Sequence, residues 1–199
     1  MAGWATALVA LYLALAFGVR VAVQIRRTGS SGINAVGGPP LELLSGAVFL
    51  AGVVAGGAAP PLALAGALEP IGSLDGAAGH AAGLVLCLAG IAGTFVSQLQ
   101  MGASWRIGVD EDERTDLVTA GLFARVRNPI YSFMILAWVG FALLVPSWLG
   151  LAAVPLLIAG LELQTRLVEE PHVLRVHGAA YRDYARRVGR FAPGVGRLD

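Results

Sequence analysis

The chain has 199 residues, of which 56% are hydrophobic and only 14% charged, and its mean hydropathy is +0.71. A soluble domain of this length needs more polar surface to enclose its core, so composition places the chain among integral membrane proteins. All 14 basic residues are arginine and the net charge is +1, which implies no polyanionic partner, and no nucleic-acid signature is present.

A bilayer is crossed by a helix of about 20 apolar residues, and five stretches qualify. Trp4 to Ile25 is the first, with Arg20 expected to snorkel to the interface. It carries no cleavage-site pattern and reads as an anchor. Leu41 to about Ala59 is the second, expected to end at Pro60-Pro61, and Ala81 to Met101 is the third. Cys87 lies inside this third run as a small packing residue, and a single cysteine allows no internal disulfide. Pro129 to Val145 and Trp148 to about Leu167 are joined only by Pro146-Ser147, so they form a helical hairpin.

Cytoplasmic loops retain positive charge, and every arginine falls on one side of a five-span layout. The loop from Pro60 to His80 has none, carrying only Glu69 and Asp75. The N-terminus is therefore expected outside and the C-terminus in the cytosol. Thr28 to Pro40 reads as a Gly/Ser/Pro-rich cytosolic linker. Gly52, Gly56 and Gly57 give span two a small-residue face for close helix packing. There is no zinc-ligand spacing, no P-loop and no dinucleotide fingerprint, and no metal site is expected.

The polar groups that remain gather at the cytosolic face in two clusters. The first runs from Met101 to Tyr131. Asp110 to Glu113 with Asp116 reads as a solvated acidic loop, and "LVTAGLF" turns at Gly121. Asn128 is expected to cap the next helix, with Pro129 at its first position. A helix start flanked by Arg125 and Arg127 suits an anionic group. The second cluster begins with Glu162 and Gln164 inside span five, where an ionisable residue is a functional candidate because burying it is costly. Arg166, Glu169 and Glu170 follow at the membrane exit. Pro171 is expected to kink the helix, and Val173 to Val188 reads as a basic amphipathic helix on the membrane surface. The short hairpin brings both clusters to one face.

The run "LVTAGLFARVRNPIY" followed by "EEPHVLRVHGAAYRDYARRVGRFAP" resembles the integral membrane methyltransferases of the isoprenylcysteine carboxyl methyltransferase and phospholipid methyltransferase superfamily. Their pattern is similar to G-x-[FY]-x-x-x-R-H-P-x-Y, a hairpin, E-E, F-G-x-x-Y-x-x-Y and a closing V-x-R-F-x-P. Asn128 stands where the family usually carries histidine, His177 where an aromatic residue is common, and Pro171 directly after the glutamates.

The resemblance implies an all-α integral membrane protein with five transmembrane helices, a C-terminal hairpin, and a cytosolic amphipathic helix closing a cofactor site. Residues 1–101 would form three N-terminal helices, and 102–199 the cofactor-binding half, with the hairpin at 129–167. It implies S-adenosylmethionine as cofactor, with S-adenosylhomocysteine as product, held by Leu117, Val118, Thr119, Gly121, Arg127, Asn128, Pro129, Tyr131, Glu169, Glu170 and Leu174. Glu169 and Glu170 suit the ammonium or ribose hydroxyls, Arg127 and the helix start suit the carboxylate, and the turn from Leu117 to Gly121 suits the adenine edge. Arg166 would orient an anionic acceptor, and Glu162 or Glu170 would accept a proton.

Two other classes stay open at this point. One is a membrane reductase using NADPH, with Arg186, Arg187 and Arg190 as the cluster for a 2′-phosphate. The other is a non-catalytic membrane scaffold. The partners implied are the bilayer and a lipophilic acceptor, with no oligomeric state specified. The Arg/Ala/Gly bias points to a bacterial plasma membrane.

Overall fold

The computed structural model describes residues 1–33, 40–108 and 115–198. The acidic run Asp110 to Glu113, Arg114 and positions 34–39 of the expected linker lie outside the described residues. The chain is almost entirely helical: α1 (Ala2–Leu13), α2 (Arg20–Thr28), α3 (Pro40–Leu64), α4 (Ala77–Met101), α5 (Pro129–Leu144), α6 (Trp148–Gln164) and α7 (Glu170–Arg187). Among the described residues, β structure is limited to isolated bridges.

Helices α1 and α2 are joined by a π-helical turn, Ala14–Val19, into one rod from Ala2 to Thr28. This rod, α3, α4 and the continuous helix from Trp148 to Arg187 are long and apolar enough to cross a membrane; α5 is a shorter apolar helix. Their lengths follow from hydropathy, because in lipid a helix satisfies its own backbone. Leu44, Leu50, Val54, Val85 and Leu88 stay exposed on their outer faces, as lipid contact requires.

The bundle is assembled by two close pairs, α4 with α5 and α3 with α6. In the first, a Cβ on Gly90 would stand 2.5 Å from the Ala137 nitrogen, and one on Gly140 2.5 Å from the Cys87 nitrogen. In the second, a Cβ on Gly52 would meet the Leu157 nitrogen at 2.5 Å and one on Gly160 the Phe49 Cα at 2.4 Å. Only hydrogen fits at these crossings, so backbones touch where dispersion must replace a hydrophobic driving force. Trp138 fills the centre edge-on to Tyr12 at 5.0 Å and to Phe141 at 5.5 Å, and donates to the Gly52 carbonyl at 3.2 Å.

Several sequence expectations are corrected. The second span does not stop at Pro60-Pro61 but runs to Leu64 with both prolines inside the helix. A helical proline ring collides with the carbonyl four residues back, and here those residues are Gly56 and Gly57, whose backbones adjust most freely. Arg20 does not snorkel to the interface: it is fully buried and turned inward. Asn128 occupies the cap position of α5, but its side chain makes no capping bond. Its backbone carbonyl accepts the first bond of the helix from Ser132 N–H at 3.1 Å, as at any helix start.

Beside Pro171, where a kink is expected, a second π-helical turn, Thr165–Glu169, carries α6 into α7. An interruption falls at Gly178, with φ 54° and ψ −122°, so the expected helix from Val173 to Val188 is broken in two. Ser147 accepts from Gly150 N–H at 3.2 Å and starts α6 tightly after the hairpin turn. The Ile71 N–H donates to the Pro146 carbonyl at 2.7 Å, which places the arginine-free loop and the hairpin turn at one end of the bundle. The polar clusters lie at the other.

Candidate active site

The start of α5 is shaped by the C-terminal segment. Val126 and Gly189 form a parallel bridge, Arg127 N–H donates to Gly189 O at 2.8 Å, and Asn128 N–H to Arg190 O at 3.0 Å. Ser132 Oγ donates to Phe191 O at 2.7 Å, and the Phe191 ring lies edge-on to Tyr131 at 6.3 Å. Residues 189–191 therefore lie along the first turn of α5. The Arg127 and Asn128 amides are thereby bonded to carbonyls of the C-terminal segment.

Arg127 is the centre of this lock. Its Nη1 donates to Ala185 O at 3.0 Å and Val188 O at 2.6 Å; its Nη2 donates to Glu170 Oε1 at 2.5 Å and Gly196 O at 2.9 Å. The side chain is 1% exposed. Arg190 meets the same carboxylate as a fork, Nε to Oε1 at 3.0 Å and Nη2 to Oε2 at 2.9 Å. Such paired geometry is the strong form of a charged hydrogen bond. Its bonds to Glu170 raise the Arg190 pKa above the ordinary arginine value. Glu170 thus stands between two guanidinium groups, each attached to a different part of the chain.

Beside this lock lies a more open set. Tyr131 donates its hydroxyl to Glu169 Oε1 at 2.5 Å. Glu162 accepts from Arg166 Nε, one helical turn on, and is 3.6 Å from Arg190 Nη1. Arg166 is 58% exposed and borders a shallow groove with Glu162, Leu163 and Leu167.

The turn before α5 completes the face. Residues 115–119 have no regular structure, and Gly121–Ala124 is a single 3₁₀ turn. Gly121 has φ 64°, and a Cβ there would stand 2.5 Å from Gln100 Oε1, which accepts Leu122 N–H at 2.8 Å. Tyr184 Oη donates to Phe123 O at 2.6 Å, tying the turn to α7. Leu117 and Leu174 pack on one cluster with Tyr181, Tyr184, Ala185 and Val188.

The structure thus joins Arg127 to Glu170, Tyr131 to Glu169 and Arg166 to Glu162, and packs Leu117 and Leu174 against one cluster. Pro129 is buried at the first position of α5, Val118 is half-buried and Thr119 exposed. Phe191, Tyr184 and Gln100 were missed as site residues, and Arg190 was read only as part of a phosphate-binding cluster. The closing "GRFAP" stretch was a visible signal for two of them, but no local pattern assigns Arg190 to Glu170.

A family model described as phospholipid methyltransferase matches residues 78–180, just over half of the 199-residue chain. No curated protein matches the chain. Among solved structures, the eukaryotic intramembrane Ras methyltransferase, isoprenylcysteine carboxyl methyltransferase, aligns with 94% of this chain and 67% of its own, at 19% identity and a TM-score of 0.57. That likeness is one of fold. The matched stretch spans α4, the turn, the hairpin and both glutamates, and the chain belongs to the phospholipid methyltransferase family as a multi-pass membrane methyltransferase.

Proposed function

We propose that the protein moves a methyl group from S-adenosylmethionine to a lipophilic acceptor at the inner membrane interface, releasing S-adenosylhomocysteine. The observation that carries this reading is the contrast between adjacent glutamates. Glu170 is held by two guanidinium groups, whereas the described partner of Glu169 is the neutral Tyr131 hydroxyl. A half-buried carboxylate placed so can accept hydrogen bonds from an ammonium or a pair of ribose hydroxyls.

The residues present fit such a cofactor. Glu169 supplies the acceptor oxygens, with Tyr131 fixing their orientation. Leu117 and Leu174 offer apolar contact, and the irregular stretch from Leu117 to Thr119 offers backbone groups to an adenine edge. Arg127, expected to bind the methionyl carboxylate, is assigned here to holding the site together, because both of its terminal nitrogens are engaged inside the protein. When bound, the cofactor would supply an electrophilic methyl group on a sulfonium. The chain's own task is to position the partners and exclude water. Arg166, at the open groove, orients an anionic group on the acceptor, and Glu162 beside it takes the proton of an amine or hydroxyl nucleophile.

The NADPH reading loses support, since Arg190 is engaged by Glu170 rather than free to join Arg186 and Arg187. Equilibrium binding of the purified protein to S-adenosylhomocysteine and to NADPH tests the proposal. Saturable binding of the first alone is expected, and binding of NADPH alone would refute it. The one-sided arginines favour a cytosolic C-terminus, which accessibility labelling of the loop between α3 and α4 from outside the cell would check.

A further inference from the structure

The rod from Ala2 to Thr28 lies outside the stretch that the family model matches, yet it carries a buried guanidinium. Arg20 is 0% exposed, donates from Nη2 to Gly102 O at 2.5 Å and to Gln24 Oε1 at 2.9 Å, and lies 4.6 Å from the Trp105 ring centroid. Gln24 Nε2 donates to Ala103 O at 3.0 Å, and Gln98 Nε2 reaches back to Ala16 O at 3.0 Å.

These contacts converge on the inner end of α4. A helix leaves its last carbonyls without intrahelical partners, and a positive charge is favourable there. Helix α4 ends at Gly102, whose φ is 61°. Arg20 meets the Gly102 carbonyl and Gln24 the next one, both in the 3₁₀ turn Gly102–Ser104 that directly follows α4, so the end of α4 is held in one direction. The last turn of α4 itself carries Gln100, whose side-chain oxygen accepts the Leu122 N–H at 2.8 Å.

We infer that Arg20 is a positioning residue for the turn at Leu117–Gly121: it and Gln24 clamp the end of α4, and α4 holds the turn through Gln100. The inference rests on the reading of that turn as part of the cofactor site. Its physical support is that the seam is poorly built for adhesion alone. Among the described residues, Nε and Nη1 of Arg20 are buried without hydrogen-bond partners. Burying an incompletely paired guanidinium is costly, and an apolar side chain would join two helices more cheaply. What arginine provides, and an apolar residue does not, is a fixed donor at the Gly102 carbonyl.

The test uses the full chain and three substitutions, Arg20→Met, Arg20→Lys and Gln100→Ala. Arg20→Met is expected to keep the parent's unfolding temperature, to speed amide exchange over residues 117–124, and to weaken S-adenosylhomocysteine binding about tenfold, the effect of one charge-assisted hydrogen bond. Arg20→Lys, which retains a donor, should restore most of the affinity. Gln100→Ala, a change on the exposed side of α4, should reproduce the loss. The double variant Arg20→Met/Gln100→Ala should be no weaker than the weaker single, because both act along one route.

Parent-like exchange in Arg20→Met would overturn the inference. So would losses that multiply in the double variant, or a lowered unfolding temperature with unchanged affinity in the folded fraction. Gln24→Leu, which removes the Ala103 bond and leaves the charge, keeps the inference testable if Arg20→Met does not fold; it too must speed exchange over 117–124. Should exchange respond while the parent fails to bind S-adenosylhomocysteine, the clamp stands and the cofactor assignment falls.

Discussion

Replacing Arg127 with methionine isolates what the central guanidinium does. The substitution keeps the length of the side chain and removes four donated hydrogen bonds, to Glu170 and to the carbonyls of Ala185, Val188 and Gly196. It leaves a half-paired carboxylate beside Arg190 in a setting where the arginine was 1% and the glutamate 11% exposed. Breaking a buried pair from one side costs roughly 3–5 kcal/mol. Three of the four bonds end on residues 185–196, so the free energy is lost mainly from the docking of that segment. At 1.4 kcal/mol per decade, 3–5 kcal/mol raises its undocked population by about two to three and a half orders of magnitude. Trypsin reads this population directly, since Arg186, Arg187 and Arg190 lie within the segment and cleavage tracks the open form when reclosing is fast. Arg127→Met should therefore be clipped in the C-terminal segment about a hundredfold faster or more. Parent-like clipping, with reduced S-adenosylhomocysteine affinity, would refute the reasoning and return Arg127 to the role of a direct cofactor ligand.

Tyr131→Phe removes the bond that orients Glu169 and should weaken S-adenosylhomocysteine binding, at a stability cost of about 1.5–3 kcal/mol for a hydrogen bond to a charged group; calorimetric titration and the unfolding temperature measure the two. Gly121→Ala should destabilise by more than about 1 kcal/mol, because alanine is strained at positive φ and its methyl would stand 2.5 Å from Gln100 Oε1; a lowered unfolding temperature checks it. Arg166→Ala should leave stability nearly unchanged, since exposed ion pairs contribute about 0–1 kcal/mol, and should raise the acceptor KM with S-adenosylhomocysteine affinity intact. Arg125→Ala, at an exposed position beside the lock, should bind and resist trypsin like the parent.

The helices were legible because hydropathy is a sum over neighbours in sequence, and 18 or more apolar residues declare a span without reference to anything distant. The hairpin was legible for the same reason, through its short connection. Where the reading failed, the deciding partner was remote. Arg20 is turned inward by Gly102 and Trp105, more than 80 residues away. Pro60 and Pro61 stay helical because of the two glycines one turn back, a compensation visible in the sequence only once the clash is placed at the right spacing.

The site shows the same division. Tyr131, Glu169 and Glu170 could be found from their motifs, but which glutamate takes which partner could not. That choice belongs to the start of α7, where adjacent side chains point about 100° apart on a helix of 3.6 residues per turn. One faces Tyr131 and the other the two arginines. Asn128 illustrates the opposite case, a residue with the right identity and position for a cap whose side chain makes no capping bond.

The two π-helical turns, Ala14–Val19 and Thr165–Glu169, each lead directly into a buried ionic residue, Arg20 and Glu170. A π turn holds one residue more than the α turn it replaces. It can therefore absorb a length change that the neighbouring helix cannot. Deleting one residue inside Ala14–Val19 would let that turn relax to α geometry with Arg20 still facing Gly102. The same deletion in α1 or α2 would swing every later side chain of the rod by about 100°. In a lineage of such chains, single-residue gaps and insertions should collect at these two turns and be absent from the helices on either side.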